Sequence, residues 1–287
     1  MSGFDHAAVQ RAAEGRRLRL PRGPHRGKLG EVRAASVGSS MELHDFRSYH
    51  PGDDLRHLDW NAVARTGELV LRVRQDEVSP RIEVLLDTSA SMAVSEAKAA
   101  RARELAGWLC VLARQTGLEP VLVLVGGAPR QSSGPNLLPT LATVALDGKA
   151  SFSSALTRAP ALRPCGLRLV VSDFLFEGEP SVVVDRLARG TSGLALVQVL
   201  DAEDVEPSGG SGARLTDAED GTHLERLLTP DLLALYAERF TAHVGLWLAA
   251  AKRVRGSLLQ VVATRSLGQL AREELAALVE VAGAGAP

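Results

Sequence analysis

Cysteine is nearly absent: Cys110 and Cys165 are the only two in 287 residues. Two such isolated thiols form neither a disulfide framework nor a zinc motif, and they suit a reducing compartment. The seven histidines never fall into His-Glu-x-x-His or a comparable ligand spacing, which argues against a zinc enzyme. Charge of one sign is also lacking. With 33 Lys and Arg against 34 Asp and Glu, net charge does not make the whole molecule a polyanion binder. No aromatic residue interleaves Arg16, Arg17, Arg19, Arg22, Arg26, Lys28 and Arg33, so nothing in that basic connector stacks on bases, and no nucleic-acid partner is expected. No run approaches the roughly 20 apolar residues that span a bilayer. Residues 1–10 lack the apolar core of a signal peptide. The reading is a cytoplasmic chain with no membrane span.

Two phosphate and acyl-transfer signatures also fail. Gly148-Lys149 resembles the end of a phosphate-binding loop, but position 143 is Thr where the first Gly belongs, and Ala150 stands where Ser or Thr must follow Lys. The Ser208–Gly212 linker contains no Gly-x-Ser-x-Gly nucleophile elbow.

What is present is ordinary globular composition, 45% hydrophobic and 23% charged, enough for one large or two small domains. Apolar runs at 82–86, 121–125, 167–171, 194–200 and 258–263 read as buried strands. Helical patterns alternate with them. One runs from Ser95 to Thr116, with Leu105, Trp108, Leu109 and Leu112 on the buried face and Arg101, Glu104 and Arg114 off it. Others run from Pro180 to Arg189, from Pro230 to Arg255, and from the Ser266 capping box to Gly283. A short amphipathic helix is expected within 4–20, an edge strand near Ala142–Leu146, and a hairpin over 214–228 around Asp220-Gly221. Strands alternating with helices imply an α/β fold with an open, mostly parallel sheet. An N-terminal extension is assigned to 1–78 and the main domain to 79–287.

The stretch Asp87-Thr88-Ser89-Ala90-Ser91 follows the first of these strands, and Ser172-Asp173 ends another. Right-handed crossovers place all strand carboxyl ends on one rim, where open α/β sheets bind ligands. Ser151 opens a helix toward that rim. Asp87, Ser89, Ser91, Ser151 and Asp173 therefore form a candidate set of oxygen donors for a hard divalent cation such as Mg²⁺. The serines are alternatively helix caps. No second aspartate follows Asp87 at the spacing of a phosphatase pair and no lysine adjoins Asp173 in sequence, which argues against a Mg²⁺-dependent phosphoryl-transfer hydrolase.

These residues resemble the metal-ion-dependent adhesion site of von Willebrand factor A-type domains, although Ser151 stands where that pattern has Thr. The run Arg47-x-Tyr49-x-Pro51-Gly52-Asp53-Asp54-x-Arg56-x-x-Asp59-Trp60, then Ala64-Arg65-Thr66-Gly67, resembles bacterial domain-of-unknown-function family 58. The resemblance implies a von Willebrand factor A-type, Rossmann-like fold and a divalent ion held by Asp87, Ser89, Ser91, Ser151 and Asp173. It also implies a non-enzymatic adaptor that works with a MoxR-type AAA+ ATPase or its client protein. Arg47, Tyr49, Asp53, Asp54 and Arg56 are the candidate partner-binding residues. A metal-free scaffold is the remaining alternative.

Overall fold

In the computed structural model of the chain, the described residues are 3–21, 25–26, 31–32, 45–49, 60–73, 81–126, 130–158, 162–207, 213–218 and 221–281. They divide into two compact units, residues 1–22 with 80–287, and residues 23–79. The expected boundary lay at 78; residues 1–22 instead belong with the larger unit.

The larger unit opens with helix α1 (His6–Ala13) and strand β1 (Arg16–Leu18). The smaller unit holds β2 (His25–Arg26), β3 (Glu31–Val32), β4 (Asp45–Ser48), α2 (Trp60–Thr66) and β5 (Val70–Val73), with β2–β3 and β4–β5 as antiparallel pairs. Arg47 lies on β4 opposite Leu71, and the Tyr49 amide donates to the Leu69 carbonyl at 2.9 Å. Asp53, Asp54 and Arg56 lie outside the described residues.

The larger unit continues with β6 (Ile82–Asp87), α3 (Glu96–Gln115), β7 (Pro120–Val125), β8 (Arg130–Ser132), α4 (Leu137–Thr143), α5 (Phe152–Arg158) and β9 (Cys165–Ser172). Then come α6 (Pro180–Ala188), β10 (Thr191–Leu200), α7 (Ala202–Val205), the antiparallel hairpin β11 (Ala213–Thr216) and β12 (His223–Arg226), and α8 (Pro230–Arg253). It ends with β13 (Ser257–Val262), α9 (Leu267–Leu270) and β14 (Val279–Val281).

The sheet has six strands in the order β13-β10-β9-β6-β7-β8, parallel except for β8, which runs antiparallel to β7. The continuous apolar runs form strands because both sheet faces are covered. Ile82, Val84 and Leu86 point into a core shared with α1, α3, α4 and α9. Leu85, Val170 and Leu196 point into a second core shared with α5, α6 and α8. The α/β reading with a mostly parallel, helix-flanked sheet therefore holds.

Several local expectations fail. The edge strand is β8; of the stretch expected to supply it, 142–146, the first two residues close α4 and the other three are neither helix nor strand. Pro139 is tolerated in α4 because it sits in the first turn, where the amide has no helical acceptor. The final helix stops after one turn at Leu270, and the last described element is β14, which pairs antiparallel with β1. Pairing with β1 outweighed a helical propensity that the Ala- and Glu-rich sequence favours. Glu104, expected off the buried face of α3, is buried and ion-paired with Arg101. In α8, where Leu232, Leu235, Trp247, Leu248 and Ala251 are expected to form an apolar side, only Trp247, Ala250 and Ala251 are buried, and Leu235 and Leu248 stay exposed. In α6, where Val182, Val183 and Leu187 are expected to face the sheet, Val182 is exposed, while Val183, Val184 and Leu187 are buried.

Two charged side chains lie within the sheet near its amino ends. Glu83 on β6 faces Arg168 on β9 in register, and both are fully buried. Arg168 Nε and Nη2 donate to Glu83 Oε2 at 3.0 and 2.8 Å. Its remaining donors reach the carbonyls of Leu187, Arg189 and Arg163, so the guanidinium also ties down the end of α6 and the connection that leads into β9. Removing one partner of such a pair leaves an uncompensated buried charge. We expect Arg168→Met to lower unfolding free energy by about 3–5 kcal/mol in urea denaturation. The double variant Glu83→Leu/Arg168→Met should recover part of that loss, the three carbonyls remaining without their donor.

Candidate metal centre

β6 ends at Asp87, and the chain then passes Thr88 and Ser89 into a short 3₁₀ turn over Ala90–Ala93 before Ser95 caps α3. Main-chain bonds tie this turn to two other segments. Thr88 N donates to the Val125 carbonyl at 2.7 Å, Gly148 N to the Thr88 carbonyl at 2.9 Å, and Ala90 N to the Gly148 carbonyl at 2.9 Å. Three segments thus meet main chain to main chain. A Cβ on Gly126 would stand 2.6 Å from Ser89 N, and one on Gly148 would stand 2.3 Å from the Gly126 carbonyl oxygen. Only glycine permits that approach.

Asp87 is fully buried. Its Oδ1 accepts from the Ser89 amide at 2.9 Å, and its Oδ2 accepts from the Ser172 hydroxyl at 2.6 Å. The Ser89 and Ser91 hydroxyls lie 3.0 Å apart. Burial, and next to it the negative charge of Asp173, push the Asp87 carboxyl up from 3.8 to about 7, against the lowering effect of its hydrogen bonds.

Asp173 follows the last residue of β9 and is 2% exposed. Its Oδ1 accepts from the Leu175 amide at 3.2 Å, and its Oδ2 accepts from Lys98 Nζ at 3.0 Å. Its own carbonyl accepts from Gln198 Nε2 at 2.7 Å, and Gln260 Nε2 donates to Gln198 Oε1 at 3.0 Å. Ser172, Gln198 and Gln260 stand side by side in register on β9, β10 and β13, with Asp87 the next residue across on β6. A polar row therefore crosses four parallel strands just below the rim.

Of the candidate ligands, Asp87, Ser89 and Ser91 share one turn, and Asp173 lies close enough for its charge to act on Asp87. Ser151 has a different immediate role. Its hydroxyl donates to Ser154 Oγ at 3.1 Å and accepts from the Ser154 amide at 3.4 Å, which caps α5. It stands three residues beyond Gly148, which bridges to Ser89, and so within about 11 Å of chain from the turn.

Sequence reasoning missed Lys98. It is 1% exposed, on the first turn of α3, and its ammonium sits 3.0 Å from both Asp173 Oδ2 and Asp204 Oδ2. Burial lowers its pKa, but the two carboxylates outweigh burial and the net shift is upward. The absence of a lysine next to Asp173 in sequence is thus overturned in space. A signal was present: a cation in the first turn of a helix opposes the helix dipole and calls for an acidic partner. Asp201 closes the cluster, accepting from Ser95 Oγ and capping α7 in a reciprocal box with Asp204.

The donor set suits a hard cation. All its atoms are oxygens, and Asp87, Asp173 and Asp204 together outnumber the single ammonium of Lys98. Among the described residues no cluster of three or more His, Cys, Asp or Glu side chains could hold a metal, so a cation here would depend on hydroxyls and water alongside the two acids. An open groove of about 520 Å³ between the start of α6 and α8, lined by Gly178, Pro180, Leu246 and Arg253 among others, contains none of these acids.

The raised Asp87 value has a measurable consequence. A carboxyl whose folded pKa exceeds its unfolded one contributes stability that is complete below about pH 4 and lost as pH rises through about 7. In chelator, unfolding free energy should fall between those limits by up to about 4 kcal/mol through this group alone. Asp87→Asn should flatten that slope in denaturation curves taken at pH 4.5 and 7.5. An unchanged slope would mean that another group causes it.

Among the described residues no helix is long and apolar enough to cross a membrane. The chain is 29% identical over 224 residues to the uncharacterized protein Rv1480 of Mycobacterium tuberculosis and to the uncharacterized protein Mb1516 of Mycobacterium bovis, spanning 72% of this chain and 69% of each relative. Among solved structures, it is similar to an aerotolerance-related membrane protein from Bacteroides fragilis carrying multiple mutations to serine, at TM-score 0.37. It is also similar to the conserved hypothetical protein BatB from Bacteroides thetaiotaomicron, at TM-score 0.34. Each is 12% identical, with 69% of this chain and 98% of the other covered, a slight likeness. Residues 45–243 match the family model described as protein of unknown function DUF58. That match takes in more than half of the sequence, together with the strand-end acids Asp87 and Asp173, and the chain belongs to the DUF58 family.

Proposed function

We propose that the protein is a non-enzymatic, divalent-cation-dependent protein-interaction module of von Willebrand factor A type, acting as an adaptor for a MoxR-type AAA+ ATPase or its client. The observation that carries this reading is the burial of Asp87 beside Asp173, with the Ser89 and Ser91 hydroxyls adjoining, at the carboxyl rim of a parallel sheet. Two acids are forced together there, and the one that lacks a lysine is driven toward protonation unless a cation joins it.

The chain's own groups divide the work. Asp87, Ser89 and Ser91 would hold the ion, and Asp173, fixed by Lys98, would complete the negative field. Gly126 and Gly148 keep the turn rigid, so little ordering remains when a cation binds. The chemistry that Mg²⁺ supplies when bound is an open coordination position that a partner carboxylate can fill. Arg47, Tyr49, Asp53, Asp54 and Arg56 remain candidates for partner contact through their resemblance to the family motif.

A phosphoryl-transfer reading gains one observation, the ammonium of Lys98 beside Asp173. Lys98 is nonetheless shut away from solvent and spent on two carboxylates. It cannot reach a substrate phosphate without breaking both pairs. The metal-free scaffold reading is favoured by the capping role of Ser151.

Calorimetric titration of Mg²⁺ into the full chain separates these readings. We expect binding by the wild type, loss of binding in Asp87→Ala, and recovery of a MoxR-type ATPase from native lysate only when chelator is left out. Equal Mg²⁺ affinity in wild type and Asp87→Ala would remove the cation reading.

A further inference from the structure

We propose that His243, on α8, is a positioning residue for the candidate cation centre: its ring pins the turn that aims the Asp173 carboxylate. The inference rests on the cation reading of the rim.

The turn is unusual at Phe174, which has φ +52°. That left-handed conformation is uncommon for a bulky residue and persists only where surroundings enforce it. Phe174 directly follows Asp173, and its geometry decides where that carboxylate goes. With Phe174 so turned, Leu175 N donates back to Asp173 Oδ1 at 3.2 Å, leaving Oδ2 to meet Lys98 at 3.0 Å.

Three groups enforce the conformation. Ser172 Oγ accepts from the Phe174 amide at 3.1 Å. The Phe174 ring is fully buried against Trp247, with centroids 4.7 Å apart. His243 Nε2 stands 2.7 Å from the Phe174 carbonyl oxygen.

That last contact fixes the role of the ring nitrogen. A lone pair facing a carbonyl oxygen at 2.7 Å would be repelled, so Nε2 carries a hydrogen and donates it. Trp247 Nε1, 3.1 Å from the same nitrogen, competes for that position, since one ring nitrogen cannot donate to the carbonyl and accept from the indole together. His243 lies on a stretch of α8 that buries little else. Before Trp247 no residue of this helix is buried. Along α8, Trp247 packs on the Phe174 ring, and His243, one turn earlier, adds the polar bond to the Phe174 carbonyl.

The test compares wild type, His243→Ala and His243→Gln, the last of which returns an N–H donor at similar reach. In Mg²⁺ calorimetry on the full chain, His243→Ala should bind about 10- to 100-fold more weakly, the range seen when partners of metal ligands are removed. His243→Gln should restore most of the affinity. In metal-free protein, amide exchange at Leu175 should accelerate in His243→Ala and not in His243→Gln, with Leu85 and Val197 in the sheet still protected in both. Wild-type Mg²⁺ affinity in His243→Ala, or affinity in His243→Gln as weak as in His243→Ala, overturns the positioning role. A wild type that binds no Mg²⁺ removes the cation reading instead. The exchange data then decide, and unchanged Leu175 exchange in His243→Ala overturns the proposal.

Discussion

Two carboxylates, Asp87 and Asp173, are buried next to one another at the ends of adjacent parallel strands, and the surrounding structure is arranged to tolerate that. Each is unfavourable alone, because burial opposes its charge, and each makes the other worse. The two are treated differently. Asp173 receives an ammonium from α3 and an amide from its own turn. Asp87 receives an amide and hydroxyls, which stabilise a charge without neutralising it. On the cation reading proposed above, the imbalance is what separates a cation-accepting rim from a closed salt bridge.

The cost of that imbalance is held by rigidity. The turn after Asp87 rests on two glycine contacts too close for any side chain. The turn after Asp173 rests on a left-handed Phe174 and on donors from β10 and α8. Neither acid can relax away from the other without breaking several hydrogen bonds at once. The charge cluster of Lys98, Asp204, Asp201 and Ser95 extends this stiffness to the starts of α3 and α7.

Much of this was legible in the sequence, for identifiable reasons. The central strands were plain because double burial produces unbroken apolar runs, and Asp87 and Ser172-Asp173 were plain because they interrupt those runs at the ends. Lys98 was hidden because a lysine on a helix is normally solvated, and only its place in the first turn hinted otherwise. His243 was hidden more completely, since it lies 69 positions along the chain from the residue whose carbonyl it meets. Ser151 was recognised, but a helix cap and a ligand ask for the same hydroxyl at the same position. The failures at α8 and at the final helix share a cause: periodicity reports which face is apolar, not whether anything comes to cover it, nor whether a strand such as β1 offers a better use for the same residues.

One feature of the sheet bears on how the chain finds its alignment. Strands apolar on both faces carry almost no pattern to say which residue should stand opposite which, and a slide of β9 along β6 would still match valine with leucine. Glu83 with Arg168 near one end, and Asp87 with Ser172 at the other, are correct only at zero offset. Sliding by even one position, about 3.3 Å, would strand a guanidinium and two carboxylates among hydrocarbon and turn every side chain to the opposite face. The ion pair and the rim acids thus act as two pegs that fix the threading of strands that are otherwise interchangeable.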